Sequence, residues 1–92
     1  MFKLWAKLYS NNHMIKDMVV SNDDTTMNRT RKIFAAIKDV CYEFNLSEPI
    51  WLDSSIREFK QRDRVAFNQD NFIDSIDFDY LEIHVIEEDD CY

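Results

Sequence analysis

The stretch Phe2-Lys3-Leu4-Trp5-Ala6-Lys7-Leu8-Tyr9-Ser10-Asn11-Asn12-His13-Met14-Ile15-Lys16-Asp17-Met18-Val19-Val20 decides the fold. Phe2, Leu4, Ala6 and Leu8 alternate with Lys3, Trp5, Lys7 and Tyr9. A period of two belongs to a strand with one face buried and the other in water. Asn11 and Asn12 both tolerate positive φ, which predicts a two-residue hairpin turn and a second strand over 13–20. A turn centred there sets Leu8 opposite Ile15, Leu4 opposite Val19 and Trp5 opposite Met18. The same register puts Lys7 against Lys16 and turns Asp17 inward beside Ala6. Those two pairings fit poorly with one buried and one solvated face.

Beyond the hairpin the period changes. Ser21-Asn22-Asp23-Asp24-Thr25-Thr26 is rich in residues that cap helices. Met27, Thr30, Ile33, Phe34, Ile37, Val40, Cys41 and Phe44 then recur at three and four, which predicts an amphipathic helix over 26–45. Pro49 closes the connection, and Ile50-Trp51-Leu52 reads as an apolar anchor, with Trp51 buried between helix and sheet. Ser55 followed by Glu58 reads as the capping box of a short helix over 55–62, with Ile56 and Phe59 inward. A brief strand over 64–68, a turn at Asp70-Asn71 and a strand over 78–86 complete the chain. In the last strand Leu81, Ile83 and Val85 share one face, and Phe78, Tyr80, Glu82, His84 and Ile86 the other. The expectation is an α+β fold in two layers. Its antiparallel sheet holds the hairpin and one or two further strands, and the long and short helices lie on one face.

Composition narrows the function. A chain of 92 residues is read as a single domain, 1–92, with its acidic end 87–92 frayed. It holds no glycine, where about six would be ordinary. A P-loop, a dinucleotide fingerprint and a nucleophile elbow all require glycine and are excluded. Positive-φ positions must fall to asparagine and aspartate. No apolar run reaches the ~18 residues of a membrane helix, and the first residues lack a signal-peptide pattern, so a cytoplasmic location is expected. Cys41 falls on the apolar helix face and Cys91 near the end; the pair reads as reduced, without zinc-ligand spacing. Net charge is −7 but uneven: residues 1–45 carry +2 and residues 46–92 carry −9, with no lysine or arginine after Arg64. Such asymmetry bears on partners more than on fold.

Four groups of residues are candidates for chemistry. Lys3, Trp5, Lys7 and Tyr9, joined by Tyr80, Glu82 and His84 if the last strand lies beside the first, mix rings with charges on the outer sheet face. This pattern suits a solvated face, a dimer or partner interface, or a platform for single-stranded nucleic acid. The net charge and the missing glycines count against the last of these. Thr25, Thr26, Arg29, Arg31 and Lys32 gather cations and free N–H groups at a helix start, an anion site unless Asp23 and Asp24 neutralise it. Arg57, Lys60, Arg62 and Arg64 form a basic cluster expected to pair with nearby acids. Asp74, Asp77, Asp79 and Glu82 alternate faces and lack the spacing of a calcium loop, so no metal and no cofactor is expected. His13 and His84 sit in no nucleophile motif.

The segments Pro49-Ile50-Trp51-Leu52-Asp53 with Ile56-Arg57-Glu58-Phe59-Lys60, and Gln69-Asp70-Asn71-Phe72-Ile73 with Ile76-Asp77-Phe78-Asp79-Tyr80-Leu81-Glu82-Ile83, together with Leu4-Trp5-Ala6-Lys7, resemble a group of short uncharacterised proteins of low-GC Gram-positive bacteria. The resemblance spans nearly the whole chain and implies a bacterial cytoplasmic origin, but it brings no activity or site residue. The first expectation is a small non-enzymatic protein–protein interaction module, monomeric or homodimeric, whose partner is another protein or itself. An acidic nucleic-acid mimic or regulator that occupies a basic partner protein comes next. Single-stranded nucleic-acid binding through the sheet face comes third.

Overall fold

A computed structural model describes residues 1–87. Strands β1 (Phe2–Ser10) and β2 (His13–Asn22) form the hairpin, followed by helices α1 (Arg29–Glu43) and α2 (Asp53–Arg62). Strand β3 (Arg64–Phe67), a 3₁₀ turn (Gln69–Asn71) and strand β4 (Tyr80–Glu87) follow. The four strands form one open antiparallel sheet in the order β2-β1-β4-β3. The fold is therefore α+β, with the N-terminal strand in the interior of the sheet. Phe2, Leu4, Ala6 and Leu8 of β1 join Leu81, Ile83 and Val85 of β4 and Val65 and Phe67 of β3 in one buried cluster. Ile33, Ala36, Ile37, Val40 and Cys41 of α1 and Phe59 of α2 complete it. No helix among the described residues is long and apolar enough to cross a membrane.

Asparagine and aspartate fill the role that glycine has elsewhere. The non-glycine residues at positive φ are Asn11 (53°), Asn12 (65°), Asn45 (58°) and Asp63 (55°). Asn11 and Asn12 make the hairpin turn whose twist matches the strands. Asn45 ends α1: its N–H reaches the Tyr42 carbonyl, and the Leu46 N–H reaches that of Cys41 at 2.7 Å. These are the two bonds of the Schellman motif, which satisfies the last carbonyls of the helix. Asp63 ends α2 in the left-handed region with a single such bond, its N–H to the Phe59 carbonyl at 2.9 Å.

The hairpin register differs from the sequence expectation by one residue. Leu4 faces Val20, Trp5 faces Val19, Ala6 faces Met18 and Lys7 faces Asp17. The slip comes from a bulge: Leu8 pairs with Lys16 and Tyr9 with Met14, so Ile15 has no partner in β1. Ile15 is exposed instead of opposing Leu8. The bulge removes both poor pairings at once. Asp17 lies on the outer face beside Lys7, and Lys16, exposed, lies on the opposite face with its ammonium 6.0 Å from the Phe44 ring. One extra residue in a strand reverses the facing of everything on one side of it.

Other differences have local causes. α1 begins at Arg29, not at Thr26, because Asn28 caps it, its side-chain oxygen accepting from the Arg31 N–H at 2.9 Å. Thr26 is held back in the loop by Asp24, whose carboxylate accepts from its N–H and its hydroxyl. These two bonds hold the Asp24 carboxyl below its ordinary pKa. α2 begins at Asp53, so Ser55 lies inside the helix and makes no capping box. Ile56 is exposed, not inward. Phe78 precedes β4 and packs in the core against Phe72, with ring centroids 5.8 Å apart. Cys41 is a free buried thiol, pushed up to about 11, chiefly by burial. Cys91 and the acidic end beyond Glu87 lie outside the described residues.

Asn71 bolts the middle of the chain together. It is buried at the end of the 3₁₀ turn, and its amide nitrogen donates to the Ile50 carbonyl (2.9 Å) and the Ser55 hydroxyl (3.0 Å). Its amide oxygen accepts from the Asn68 N–H at 3.1 Å. The backbone adds Ile50 N–H to the Asn71 carbonyl at 2.6 Å. Replacing Asn71 by leucine leaves a buried hydroxyl and a carbonyl without a donor, each costing about 1–3 kcal/mol. Asn71→Leu is expected to lower the unfolding free energy by about 3–5 kcal/mol in urea titration. Asn12→Gly, at a turn position already at positive φ, is expected to change it by under about 0.5 kcal/mol.

Candidate functional site

The outer sheet face brings its predicted residues together. Trp5 pairs with His84, Lys7 with Glu82 and Tyr9 with Tyr80 across β1 and β4. The charges on this face are satisfied by one another. Lys7 reaches Glu82 at 2.8 Å and lies 4.0 Å from the centroid of the Trp5 ring. Lys3 reaches Glu87 at 3.3 Å. The Trp5 indole N–H donates to the Asp17 carboxylate at 2.9 Å. Tyr9 and Tyr80 stack on each other, centroids 4.9 Å apart and 21° between planes. Both lysines have carboxylate partners, and two of the rings are engaged with each other.

The residues of the helix-start cluster differ in setting. Thr25 and Thr26 stay in the loop, and Arg31 is exposed. Arg29 turns to Asp63 at 3.0 Å and lies 5.4 Å from the Phe59 ring. Lys32 is 2% exposed, so its alkyl stem belongs to the interior.

A different surface has the shape of a binding site. Between the N-terminal half of α1 and helix α2 lies a groove of about 230 Å³. Ile33, Phe34, Trp51, Ile56 and Phe59 line it, with Arg29, Thr30 and Lys60 around them. Trp51 is its centre. Its ring stands edge-on to Phe34 (6.1 Å), Phe59 (5.6 Å) and Phe67 (5.1 Å). Trp51 is thus half-buried, not enclosed as the sequence predicts, because α2 turns Ile56 outward and leaves one side of the ring uncovered. Phe34 is 51% exposed and Ile56 40% exposed at the mouth. Ile50 and Leu52, the outer members of the expected anchor, are exposed as well, whereas Pro49 is buried.

The basic cluster of α2 also departs from expectation. Among the described residues Arg57, Lys60 and Arg62 of α2 and Arg64 of β3 make no ion pair; α2 also carries Asp53 and Glu58, and of the four cations only Lys60 lines the groove. Asp74, Asp77 and Asp79 lie in the connection before β4. Asp79 accepts from the Asn11 N–H at 2.8 Å. Among the described residues no three His, Cys, Asp or Glu side chains are placed to share a metal ion.

Helical periodicity places Phe34 and Ile56 on the apolar side of their helices, yet both are exposed. The available signal was stripe width: Ile33 and Phe34 are adjacent, and one sheet face covers only one of them.

No family model, curated protein or solved structure matches this chain.

Because one side of the indole is open, Trp51→Ala is expected to cost about 2–3 kcal/mol, less than the 3–5 kcal/mol of an enclosed aromatic. Trp5→Ala, which loses one exposed hydrogen bond and a cation–π contact, is expected to cost about 1 kcal/mol. Urea unfolding of the two variants measures both.

Proposed function

We propose that this chain is a small cytoplasmic protein–protein interaction module. The groove between α1 and α2 holds a short acidic polypeptide segment by one bulky apolar side chain. The supporting observation is the groove itself: five apolar side chains converge beside Lys60, which makes no ion pair among the described residues, and the Phe34 ring at its mouth is half exposed. Aromatic anchors in a partly desolvated pocket give affinity, and flanking charges set orientation and rate. The reading assigns no catalytic step to any residue. Single-stranded nucleic acid has less in its favour, since the lysines of the sheet face are already paired. The acidic-mimic reading rests on the −9 balance of residues 46–92, with no lysine or arginine after Arg64.

Fluorescence anisotropy with a labelled peptide in which isoleucine is flanked by aspartates tests the proposal. A Kd of about 0.1–1 mM is expected for a contact of this size. Phe34→Asp should weaken it at least about tenfold, the effect of losing roughly 1.4 kcal/mol. A peptide with lysines in place of the aspartates should bind more weakly than the acidic one. Equal binding of the two peptides, or no effect of Phe34→Asp, would sink the proposal.

A further inference from the structure

Strand β2 is an open edge of the sheet. In the order β2-β1-β4-β3 it pairs with β1 on one side, and among the described residues no strand lies on the other. The opposite edge, β3, is only four residues long, and shortness protects an edge from further pairing. β2 runs for ten residues without proline. Its first half is interrupted by the bulge at Ile15, which also spoils an edge for pairing. Its second half, residues 16–22, keeps a regular register with β1 and has no such guard. The backbone N–H and C=O groups on its open side are satisfied by water or by an extended strand.

The side chains decide which strand fits. Val19 lies on the outer face opposite Trp5 and is 48% exposed. Met18 and Val20 lie on the inner face, half-buried, opposite Ala6 and Leu4. Residues that oppose each other across an antiparallel pair share a face, so a two-fold pairing of β2 with itself has its axis at one residue. An axis at Lys16 or Asp17 sets like charges against each other and runs into the bulge. An axis at Met18 sets Lys16 and Asp17 against valines, and one at Val20 sets Val19 and Met18 against Ser21 and Asn22. An axis at Val19 uses all of 16–22. Val19 then meets the partner's Val19, Met18 meets the partner's Val20, Asp17 the partner's Ser21 and Lys16 the partner's Asn22. Apolar meets apolar on both faces, and each charge meets a neutral hydrogen-bonding side chain.

We infer that β2 pairs with β2 of a second copy, antiparallel about a two-fold axis at Val19, joining the two sheets edge to edge. The same surface is used on both copies, so the contact closes at two chains. Residues 16–22 alone form a small interface, and association is weak, with a Kd of about 0.01–1 mM. The surface is separate from the groove, and the pairing does not depend on what the groove binds.

Sedimentation velocity over a concentration series tests the pairing. Wild type should pass from one chain to two and grow no further. Val19→Lys and Val19→Glu should each stay monomeric where wild type is dimeric, because like charges then face each other at the axis. Mixed in equal amounts, the two variants should form a dimer, since lysine then faces glutamate. Val19 is exposed, so both variants should keep the wild-type circular dichroism spectrum. Phe34→Asp, in the groove, should dimerise like wild type. A wild type that stays monomeric up to about 1 mM overturns the inference. So does a Val19→Lys variant that dimerises like wild type, a mixture that stays monomeric, or a dimer lost on Phe34→Asp.

Discussion

The buried amide of Asn71 is the interaction on which the middle of this molecule depends. The link between α1 and α2 has no regular structure of its own, and its polar backbone must find partners in the interior. Asn71 supplies them from twenty-one residues away, reaching the Ile50 carbonyl and, through Ser55, the first turn of α2. Once Ile50 and Ser55 are fixed, Trp51 between them has little freedom, and its ring meets Phe34, Phe59 and Phe67. The groove is therefore a consequence of a polar network beneath it. A buried network of this kind specifies one arrangement when every member is satisfied, and among the described residues no buried side-chain polar atom lacks a partner.

Much of the architecture is legible in the sequence. The alternation from Phe2 to Tyr9 gives a strand with the right inward face, and the absence of glycine sends positive φ to asparagine and aspartate, as expected at Asn11 and Asn12 and found also at Asn45 and Asp63. What escapes is set by single residues or by distant ones. The bulge at Ile15 has no local signature except the two bad pairings it removes. The start of α1 turns on a competition between Thr26, held by Asp24, and Asn28. Ser55 has the spacing of a capping box, yet its hydroxyl is taken by Asn71, a tertiary contact that no local pattern contains.

The candidate site was less legible than the fold, for a physical reason. Phe34 and Ile56 obey helical periodicity, and periodicity alone cannot tell a covered apolar residue from one left at the mouth of a groove. The sheet face, by contrast, was assembled correctly, and its geometry shows why it has little left to offer: Lys3, Lys7, Trp5 and the two tyrosines are engaged within the molecule. Among the described residues Arg57, Lys60 and Arg62 of α2, and Asp74 and Asp77 of the loop before β4, are in no ion pair. Contacts made by such exposed charges weaken as salt screens them.

The central claim is that binding happens at Trp51 and not on the sheet face. The two tryptophans give separate indole N–H signals in a ¹H–¹⁵N correlation spectrum, one in the groove and one bonded to Asp17. Titration with the acidic isoleucine peptide should move the Trp51 indole signal and the amides around Phe34 and Ile56, while the Trp5 signal stays in place. Movement of the Trp5 signal with a still Trp51 would contradict the account and return the binding surface to the sheet.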